Sequence, residues 1–169
     1  MKLSPRHKMP FKRRREGKTD YQKRLRLLKS DKSRLVVRRS LKYITAQVTE
    51  FDKKGDRILV AANSKELKKL GWNFACDNLP AAYLTGLLIG KKSLGKNIAE
   101  TVLNSGLHPS VKGSRIYAVA KGAIDAGLKI PVDDEILPSE DRIKGAHISE
   151  KFKNLPSEFE KVKEKIIGG

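Results

Sequence analysis

The sequence contains one cysteine, Cys76, among its 169 residues, and this number excludes an internal disulfide framework. It also lacks a long hydrophobic run, since the longest, Ala81 to Gly90, is too short to cross a membrane and ends at two lysines. No apolar signal-peptide region follows Met1. Gly86 and Gly90 have the GxxxG spacing, but without a spanning helix we give this pattern no weight. We therefore expect a soluble, cytoplasmic protein with no membrane partner.

Residues that could perform chemistry are also scarce. The three histidines, His7, His108 and His147, have no cysteine or acidic residue at metal-ligand spacing, so we expect no metal site. Cys76 has no base nearby in sequence and is interpreted as a packed thiol. Gly17-Lys18-Thr19 resembles the end of a phosphate-binding loop, but the required earlier glycine and preceding strand are missing. The sequence therefore predicts no enzyme, no cofactor and no small-molecule substrate.

Positive charge, in contrast, is abundant and concentrated at one end. The formal net charge is +18 and the isoelectric point is about 10.1. Residues 1–42 hold 17 Lys and Arg against 3 acidic residues, a net charge of +14, whereas residues 131–169 carry a net charge of −2. Because cations that neutralise phosphates also release condensed counterions, this distribution predicts a polyanionic partner held by a basic arm.

The stretch from Arg34 to Glu50 alternates apolar and polar residues with period two, which predicts a half-buried β-hairpin. One face would carry the aliphatic side chains of Leu35, Val37, Ile44, Ala46 and Val48. The opposite face would present to solvent the side chains of Arg34, Val36, Arg38, Tyr43, Thr45, Gln47 and Thr49. Guanidinium, aromatic, hydroxyl and amide groups contact phosphate, ribose and unstacked bases well. We therefore expect this second face to touch RNA.

A short helix is predicted ahead of the hairpin. Thr19 and Asp20 can cap a helix from Tyr21 to Ser30, in which Tyr21, Leu25 and Leu28 would face the domain. The cations of this helix would then point towards phosphate.

Four further elements follow the hairpin, ahead of a helix at Ser114 and the acidic stretch Pro131 to Glu140. They are a third strand from Arg57 to Ala62, a short helix from Ser64 to Gly71, a buried helix from Ala81 to Ile89 and a central strand from Ala99 to Asn104. In the third strand, Ile58, Val60 and Ala62 are expected to point towards the core. A helix from Ser114 to Gly127 comes next, and a capping box at Ser157 to Glu160 opens a last helix with Phe159, Val162, Ile166 and Ile167 on its apolar stripe. The predicted fold is α/β: a single mixed β-sheet packed on one helical layer, with a basic N-terminal arm and a C-terminal helical extension.

The loop before the helix at Ser114 is a candidate anion site. It runs from Gly106 to Arg115 and ends at a helix N-terminus, where free amides and the positive end of the helix dipole favour negative charge. Lys112 and Arg115 add two cations. A backbone phosphate of RNA is the expected occupant, because no glycine-rich cradle for a pyrophosphate is present; an ordinary capped helix start is the alternative.

Several motifs, taken together and in order, resemble a known family. They are PFKRRREGKTDYQKRLRLL, SRLVVRRSLKYITAQVTEF, NLPAAYLTGLLIGKK, GLHPSVKGSRIYAVAKGAIDAGLKIP and KGAHIS, spanning Pro10 to Ser149. The chain is similar to the universal large-subunit ribosomal protein eighteen, in its archaeal and eukaryotic form. The resemblance implies a non-catalytic protein of the large ribosomal subunit that binds 5S rRNA and links it to the large rRNA in the central protuberance. It implies as further partners the neighbouring ribosomal proteins, including the other 5S-binding protein, large-subunit protein five.

The resemblance also implies which residues contact RNA. On the basic arm they are Lys12, Arg13, Arg14, Arg15, Lys18, Thr19, Tyr21 and Arg24. On the exposed face of the hairpin they are Arg38, Arg39, Tyr43 and Gln47, and the turn after residue 111 adds Lys112, Gly113, Ser114 and Arg115.

The expected organisation is a basic RNA-binding arm over residues 1–33, an α/β core over 34–130, and an acidic loop with a helical extension over 131–169. Two other functional classes fit the charge. One is an RNA-processing or RNA-modifying enzyme with a basic guiding arm, which would need a catalytic constellation. The other is a DNA-compacting or regulatory protein, which would bind duplex DNA as well as RNA.

Overall fold

The computed structural model describes residues 8–148, 152 and 154–168, and these form one sheet with helices on both of its faces. The strands are β1 (Arg34–Arg39), β2 (Ile44–Glu50), β3 (Arg57–Asn63) and β4 (Val102–Asn104), in the spatial order β3-β2-β1-β4. β1, β2 and β3 are antiparallel neighbours, and β4 pairs with β1 in parallel. The mixed sheet and the predicted hairpin are confirmed. Residues 1–7 of the predicted arm and Ser149 of the last motif lie outside the described residues.

Six α-helices connect and cover these strands in the described part of the chain. They are α1 (Lys12–Arg15), α2 (Tyr21–Leu28), α3 (Leu79–Leu94), α4 (Arg115–Asp125), α5 (Glu140–Lys144) and α6 (Leu155–Gly168). Short 3-10 helices occupy Ser64–Leu70, Asp134–Ile136 and Ala146–Ile148. Among the described residues, no helix combines the length and the apolarity needed to cross a membrane.

The core lies between the sheet and the helical layer formed mainly by α3, α4 and α6. The five aliphatic residues predicted on the inner face of the hairpin are all buried, with at most 1% of their surface exposed. α3 is buried on nearly all sides, as its apolar sequence predicts. Asn78 caps α3 by accepting a hydrogen bond from Ala81 N at 2.9 Å. Cys76 is a buried thiol whose pKa is raised, chiefly by burial, so it fits the packed role expected for it.

Glycines allow α3 and α4 to pack backbone against backbone. A Cβ atom on Gly86 would lie 2.2 Å from the carbonyl oxygen of Val119, and one on Gly122 would lie 2.1 Å from that of Tyr83. A Cβ on Gly90 would lie 2.6 Å from the Cβ of Ala126. The glycines of the GxxxG spacing, which was given no weight as a membrane motif, therefore have a packing role between α3 and α4. In this helix pair, as in membrane helices, small residues allow the two backbones to approach closely, because no bulky side chain separates them.

Replacing Gly122 by alanine is expected to lower the free energy of unfolding by about 3 kcal/mol, because the added methyl group meets backbone atoms that cannot rotate away. Urea denaturation measures this change. Gly95→Ala is the matched control, since Gly95 has ordinary helical angles and a Cβ there would meet nothing closer than 3.6 Å. The control variant should be equally or slightly more stable than the natural chain. Equal stabilities of both variants would contradict this account of the α3–α4 contact.

Two predictions about the other strands are wrong. Ile58, expected inward, is 53% exposed, because the pairing of β2 and β3 shifts register between Val48 and Thr49. A one-residue shift turns a strand residue to the opposite face. β4 is an edge strand rather than a central one, and it is shorter than predicted. The backbone of Ala99 and Thr101 bonds to Lys129 instead of extending the ladder with β1.

Two helices also differ from their predicted patterns. Leu25 of α2 was expected to face the domain but is 59% exposed. α6 begins at Leu155, two residues before the predicted cap Ser157, whose hydroxyl donates to Asn154 O within the first turn. Leu155 consequently joins the buried stripe of α6, and Ile167 is exposed.

Candidate nucleic-acid interface

The helix α2 lies across the outer face of the sheet, opposite the core. Asp20 caps it by accepting hydrogen bonds from the backbone amides of Gln22 and Lys23 at 2.9 and 3.1 Å. Lys23 Nζ donates to Ser105 Oγ at 2.9 Å and to the carbonyl oxygen of Gly106 at 3.1 Å. These contacts attach α2 to the loop after β4 with a different side facing the domain from the one predicted.

An ion-pair network joins α2 to the sheet through Asp56. Arg24 binds this carboxylate with both terminal nitrogens, at 2.7 and 2.8 Å. Nη2 of Arg34 lies 2.8 Å from Asp56 Oδ1. Arg34 was predicted to face solvent, but only 1% of its side chain is exposed. Thr49, its cross-strand neighbour, is also buried rather than exposed.

The pKa of Asp56 is lowered, first by its hydrogen bond with Arg24 and further by Arg34, although partial burial opposes the shift. The hydrogen bond with Asp56 is likewise the main reason that the pKa of Arg24 is raised. Both directions mean that the paired, charged forms are the stable ones in the folded protein. Arg24, predicted to contact RNA, is therefore already bound to a carboxylate.

Between the arm and the outer sheet face lies a groove of about 610 Å³. Seven of the predicted RNA-binding residues line it: Arg13, Lys18, Thr19, Tyr21, Arg24, Arg38 and Gln47. The structure therefore brings together side chains from the arm and from both strands of the hairpin, as the alternation of the hairpin predicts.

The short helix α1 consists entirely of cations, and most of them remain available. Arg14 and Arg15 are exposed, and their side chains have no ion-pair or hydrogen-bond partner among the described residues. Arg13 Nε donates to Thr19 Oγ1 at 3.0 Å, which turns the chain back towards α2. Lys12 and Lys18 both lie near Glu16, with 81% and 61% of their side chains exposed. The carboxylate of Glu16 is thus shared by two lysines in a strongly basic segment.

Arg38 is held in place at the other side of the groove. Its Nη1 donates to the carbonyl oxygens of Val37 and Asn104, at 2.9 and 3.2 Å. Its guanidinium packs on Gly106, where a Cβ would come within 2.8 Å of it. Burial lowers the pKa of Arg38, but an arginine stays protonated at any physiological pH.

Two aromatic side chains of the arm contact each other. The rings of Phe11 and Tyr21 are tilted by 47°, with centroids 5.1 Å apart, and Phe11 is 71% exposed. Tyr43, in contrast, precedes β2 and packs against the core, so it is less available to RNA than predicted.

Acidic residues neutralise part of the positive charge of the predicted anion loop. Lys112 lies 3.4 Å from Glu135. Arg115 donates to the carbonyl and the carboxylate of Asp77, at 2.6 and 3.2 Å. Gly113 adopts a left-handed conformation with φ of +66°. Ser114 begins α4 as predicted, but its side chain makes no capping hydrogen bond.

A second cavity, of about 400 Å³, lies beside this loop, and two of the residues that border it were not singled out from the sequence. Arg39 from β1 borders it together with Arg142 and His147. Arg142 and His147 were missed because they lie in residues 131–169, whose net charge is negative. The KGAHIS motif contains His147, but Arg142 lies outside it. His108, in the adjoining loop, has a lowered pKa because of burial and the charges of Arg39 and Arg38.

Several other lysines bind backbone carbonyl oxygens and are structural. Lys91 donates to Ile166 and Ile167 at the end of α6, both at 2.8 Å. Lys92, Lys96 and Lys165 donate to Ala61, Leu59 and Leu70. The cations available to a polyanion are thus fewer than the net charge suggests.

Comparison of the sequence with known proteins assigns the chain to a family. Residues 5–102 match the family model of the ribosomal large subunit proteins 60S L5 and 50S L18. The large ribosomal subunit protein uL18 of Methanococcus maripaludis is 48% identical over 166 residues, covering 98% of this chain and 86% of the relative. The chain belongs to this family of ribosomal large-subunit proteins.

Membership in the L18 family confirms the resemblance found in the sequence. It makes the chain a structural component of the large subunit of cytoplasmic ribosomes rather than an enzyme. No group of three or more potential metal ligands occurs in the described parts of the chain. The groove of about 610 Å³ lies almost wholly within the matched residues, whereas Arg142 and His147 lie beyond them.

Proposed function

We propose that this ribosomal protein binds folded 5S rRNA and helps attach it to the large rRNA in the central protuberance, next to large-subunit protein five. The observation that carries the proposal is the groove between the arm and the outer sheet face, where Arg13, Lys18 and Arg38 converge. Guanidinium groups bind phosphate oxygens in pairs, and lysine acts as a point charge.

The two helices of the arm have different roles. α2 is attached to the sheet through Arg24 and Lys23, so it acts as a support. α1 lies beyond this anchor and carries the unpaired arginines Arg14 and Arg15. The residues proposed to reach phosphates first are therefore Lys12, Arg13, Arg14, Arg15 and Lys18. A rigid support lowers the entropy lost when these side chains become ordered on RNA.

Groups for ribose and base contacts lie next to the cations. Gln47 and Thr19 line the groove and offer amide and hydroxyl groups to a 2′-hydroxyl. The exposed ring of Phe11, supported by Tyr21, offers a stacking surface for an unpaired base. This combination favours structured RNA with unstacked bases over uniform duplex DNA.

On this proposal, residues 1–33 form the RNA-binding arm, 34–130 the α/β core and 131–169 an extension. The extension packs on the core, because Leu155, Phe159 and Val162 of α6 are each 1% exposed.

A titration of 5S rRNA against the full chain at several salt concentrations tests the proposal. We expect submicromolar binding of 5S rRNA in moderate salt, with affinity at least tenfold higher than for duplex DNA of the same length. Equal affinities for both nucleic acids would favour the DNA-compacting alternative. A natural chain that does not copurify with 5S rRNA and large subunits would refute the proposal.

A further inference from the structure

We propose that Lys92 and Lys96 close the outer edge of β3 to strand addition and so keep two copies of this chain from pairing through that edge. The excluded partner is a second copy, because an edge strand can pair with its own copy, antiparallel, across a twofold axis. The inference goes beyond the proposed function, since it concerns the protein before it meets RNA.

The outer edge of β3 has the features of a strand-addition site. β3 lies at one end of the sheet order, so no strand covers its outer side in the described part of the chain. The segment from Ile58 to Ala62 is uncharged and apolar and contains no proline, which is typical of segments that add strands and aggregate. Ile58 is 53% exposed and would gain an apolar contact in such a pair. The opposite edge strand, β4, has only three residues and offers a much shorter edge.

The hydrogen-bond pattern of the sheet shows which carbonyl groups of β3 point outward. Ser40 N donates to Tyr43 O at 2.8 Å, so this pair is hydrogen-bonded, and so is every second pair along β1 and β2. Gln47 therefore bonds to β1, and its partner Ala61 in β3 directs its backbone away from β2. Leu59 is the extra residue at the register shift and has no partner in β2.

Two lysines occupy the outward acceptors of this edge. Lys92 Nζ donates to the carbonyl oxygen of Ala61 at 3.2 Å, and Lys96 Nζ donates to that of Leu59 at 2.6 Å. An incoming strand would need the same carbonyl oxygens as acceptors for its own amides. It would therefore have to displace two charged hydrogen bonds, which are stronger than the neutral bonds that would replace them.

The spacing of the two lysines matches the spacing of the two carbonyl groups. Lys92 lies in the last turn of α3 and Lys96 four residues later, about 6 Å along a helix axis. Leu59 and Ala61 are two residues apart in β3, about 6.6 Å along a strand. Glu66 holds Lys92 in position, because its carboxylate accepts a hydrogen bond from Nζ at 2.6 Å. The end of α3 is thus arranged to cover the edge.

Sedimentation equilibrium of the RNA-free full chain tests the proposal, in salt high enough to screen the net charge of +18. Lys92 and Lys96 are changed together to methionine, which keeps an unbranched, flexible side chain but has no ammonium group. We expect this double variant to dimerise with a dissociation constant at least about tenfold below that of the natural chain. Hydrogen exchange should show that the amides of Leu59 and Ala61 become protected as the dimer forms.

Lys68→Met combined with Lys69→Met is the matched control. Both lysines are exposed in the 3-10 helix before α3, and their side chains make no hydrogen bond with the described residues. This control removes the same charge and should associate no more than the natural chain. Equal association of the two double variants would overturn the proposal, because it would reflect charge or methionine content alone. Unchanged association of the Lys92 and Lys96 double variant, or a dimer without protection of the β3 amides, would overturn it as well.

Lys96→Met alone keeps the test decisive if circular dichroism shows that the double variant does not fold. Lys96 bonds to Leu59, whereas Lys92 also bonds to Glu66, so the single substitution leaves the ion pair with Glu66 intact. The single variant should still dimerise more strongly than the natural chain, and the same dissociation constant for both would contradict the proposal. Failure of the natural chain to bind 5S rRNA would refute the proposed function without changing this result, since no RNA is present.

Discussion

Asp56→Asn is expected to lower the free energy of unfolding at pH 7 by about 3–5 kcal/mol, the cost of leaving a buried charge without its partner. The side chain of Arg34 is only 1% exposed, so water cannot replace the lost carboxylate. Arg24 would lose both of its hydrogen bonds at the same time. Asparagine has nearly the same shape as aspartate, so the loss reports charge rather than packing. Urea denaturation followed by circular dichroism measures it.

The effect of Asp56→Asn on the free energy of unfolding should depend on pH. Because the pKa of Asp56 is lower in the folded than in the unfolded protein, its contribution is fully present above the unfolded value, near 3.8, and is lost as the pH falls through the folded pKa. The difference between the natural chain and Asp56→Asn should therefore be largest at neutral pH and shrink below about pH 3.8.

Asp52→Asn is the control for this prediction, because Asp52 is an exposed residue in the same turn and asparagine can still accept its hydrogen bond from Lys54 N. We expect a change within about 0.5 kcal/mol. If Asp56→Asn also changed the free energy of unfolding by no more than about 0.5 kcal/mol, the ion-pair network around Asp56 would contribute little to stability.

Removing the free charge of the arm should have the largest effect on RNA binding. Changing Lys12, Arg13, Arg14, Arg15 and Lys18 together to glutamine eliminates five cations but leaves α2 attached through Arg24 and Lys23. At about 0.7 to 0.9 per phosphate neutralised, the salt slope for 5S rRNA should fall by about four. This corresponds to roughly 10²-fold less variation in affinity between 50 and 200 mM salt. Binding titrations at four or more salt concentrations measure the slope.

A matched variant separates position from total charge. Lys54, Lys65, Lys68, Lys69 and Lys161 are exposed lysines, and none of them lines the groove. Changing these five to glutamine removes the same charge and should change the slope by less than one. Similar slopes for both variants would refute a specific role of the arm. Deleting residues 1–33 would be a poorer test, because it also removes Arg24 from Asp56.

These experiments separate two uses of cations that composition cannot distinguish. Arg34 and Lys91 hold the chain together, the first through an ion pair and the second through backbone carbonyls. Arg14 and Arg15 have no partner within the described residues, and their charge is available to RNA.

Much of the fold followed from local patterns in the sequence. The hairpin faces were predictable because a strand places alternate residues on opposite sides, and burial needs only that alternation. The start of α3 was predictable from Asn78 and Pro80 for a similarly local reason. In contrast, the exposure of Ile58 depends on a register shift between two strands, and no pattern within β3 contains that information.

By itself the sequence determined the family, the basic arm and the strand faces, since each is written in residues close together in the chain. Only the tertiary structure decided which cations are free. Asp56 pairs with Arg24 and Arg34, and Arg142 borders the same cavity as Arg39, which lies about a hundred residues earlier in the chain. Charges pair by distance in space and not in sequence, so this division could be known only after the chain was folded.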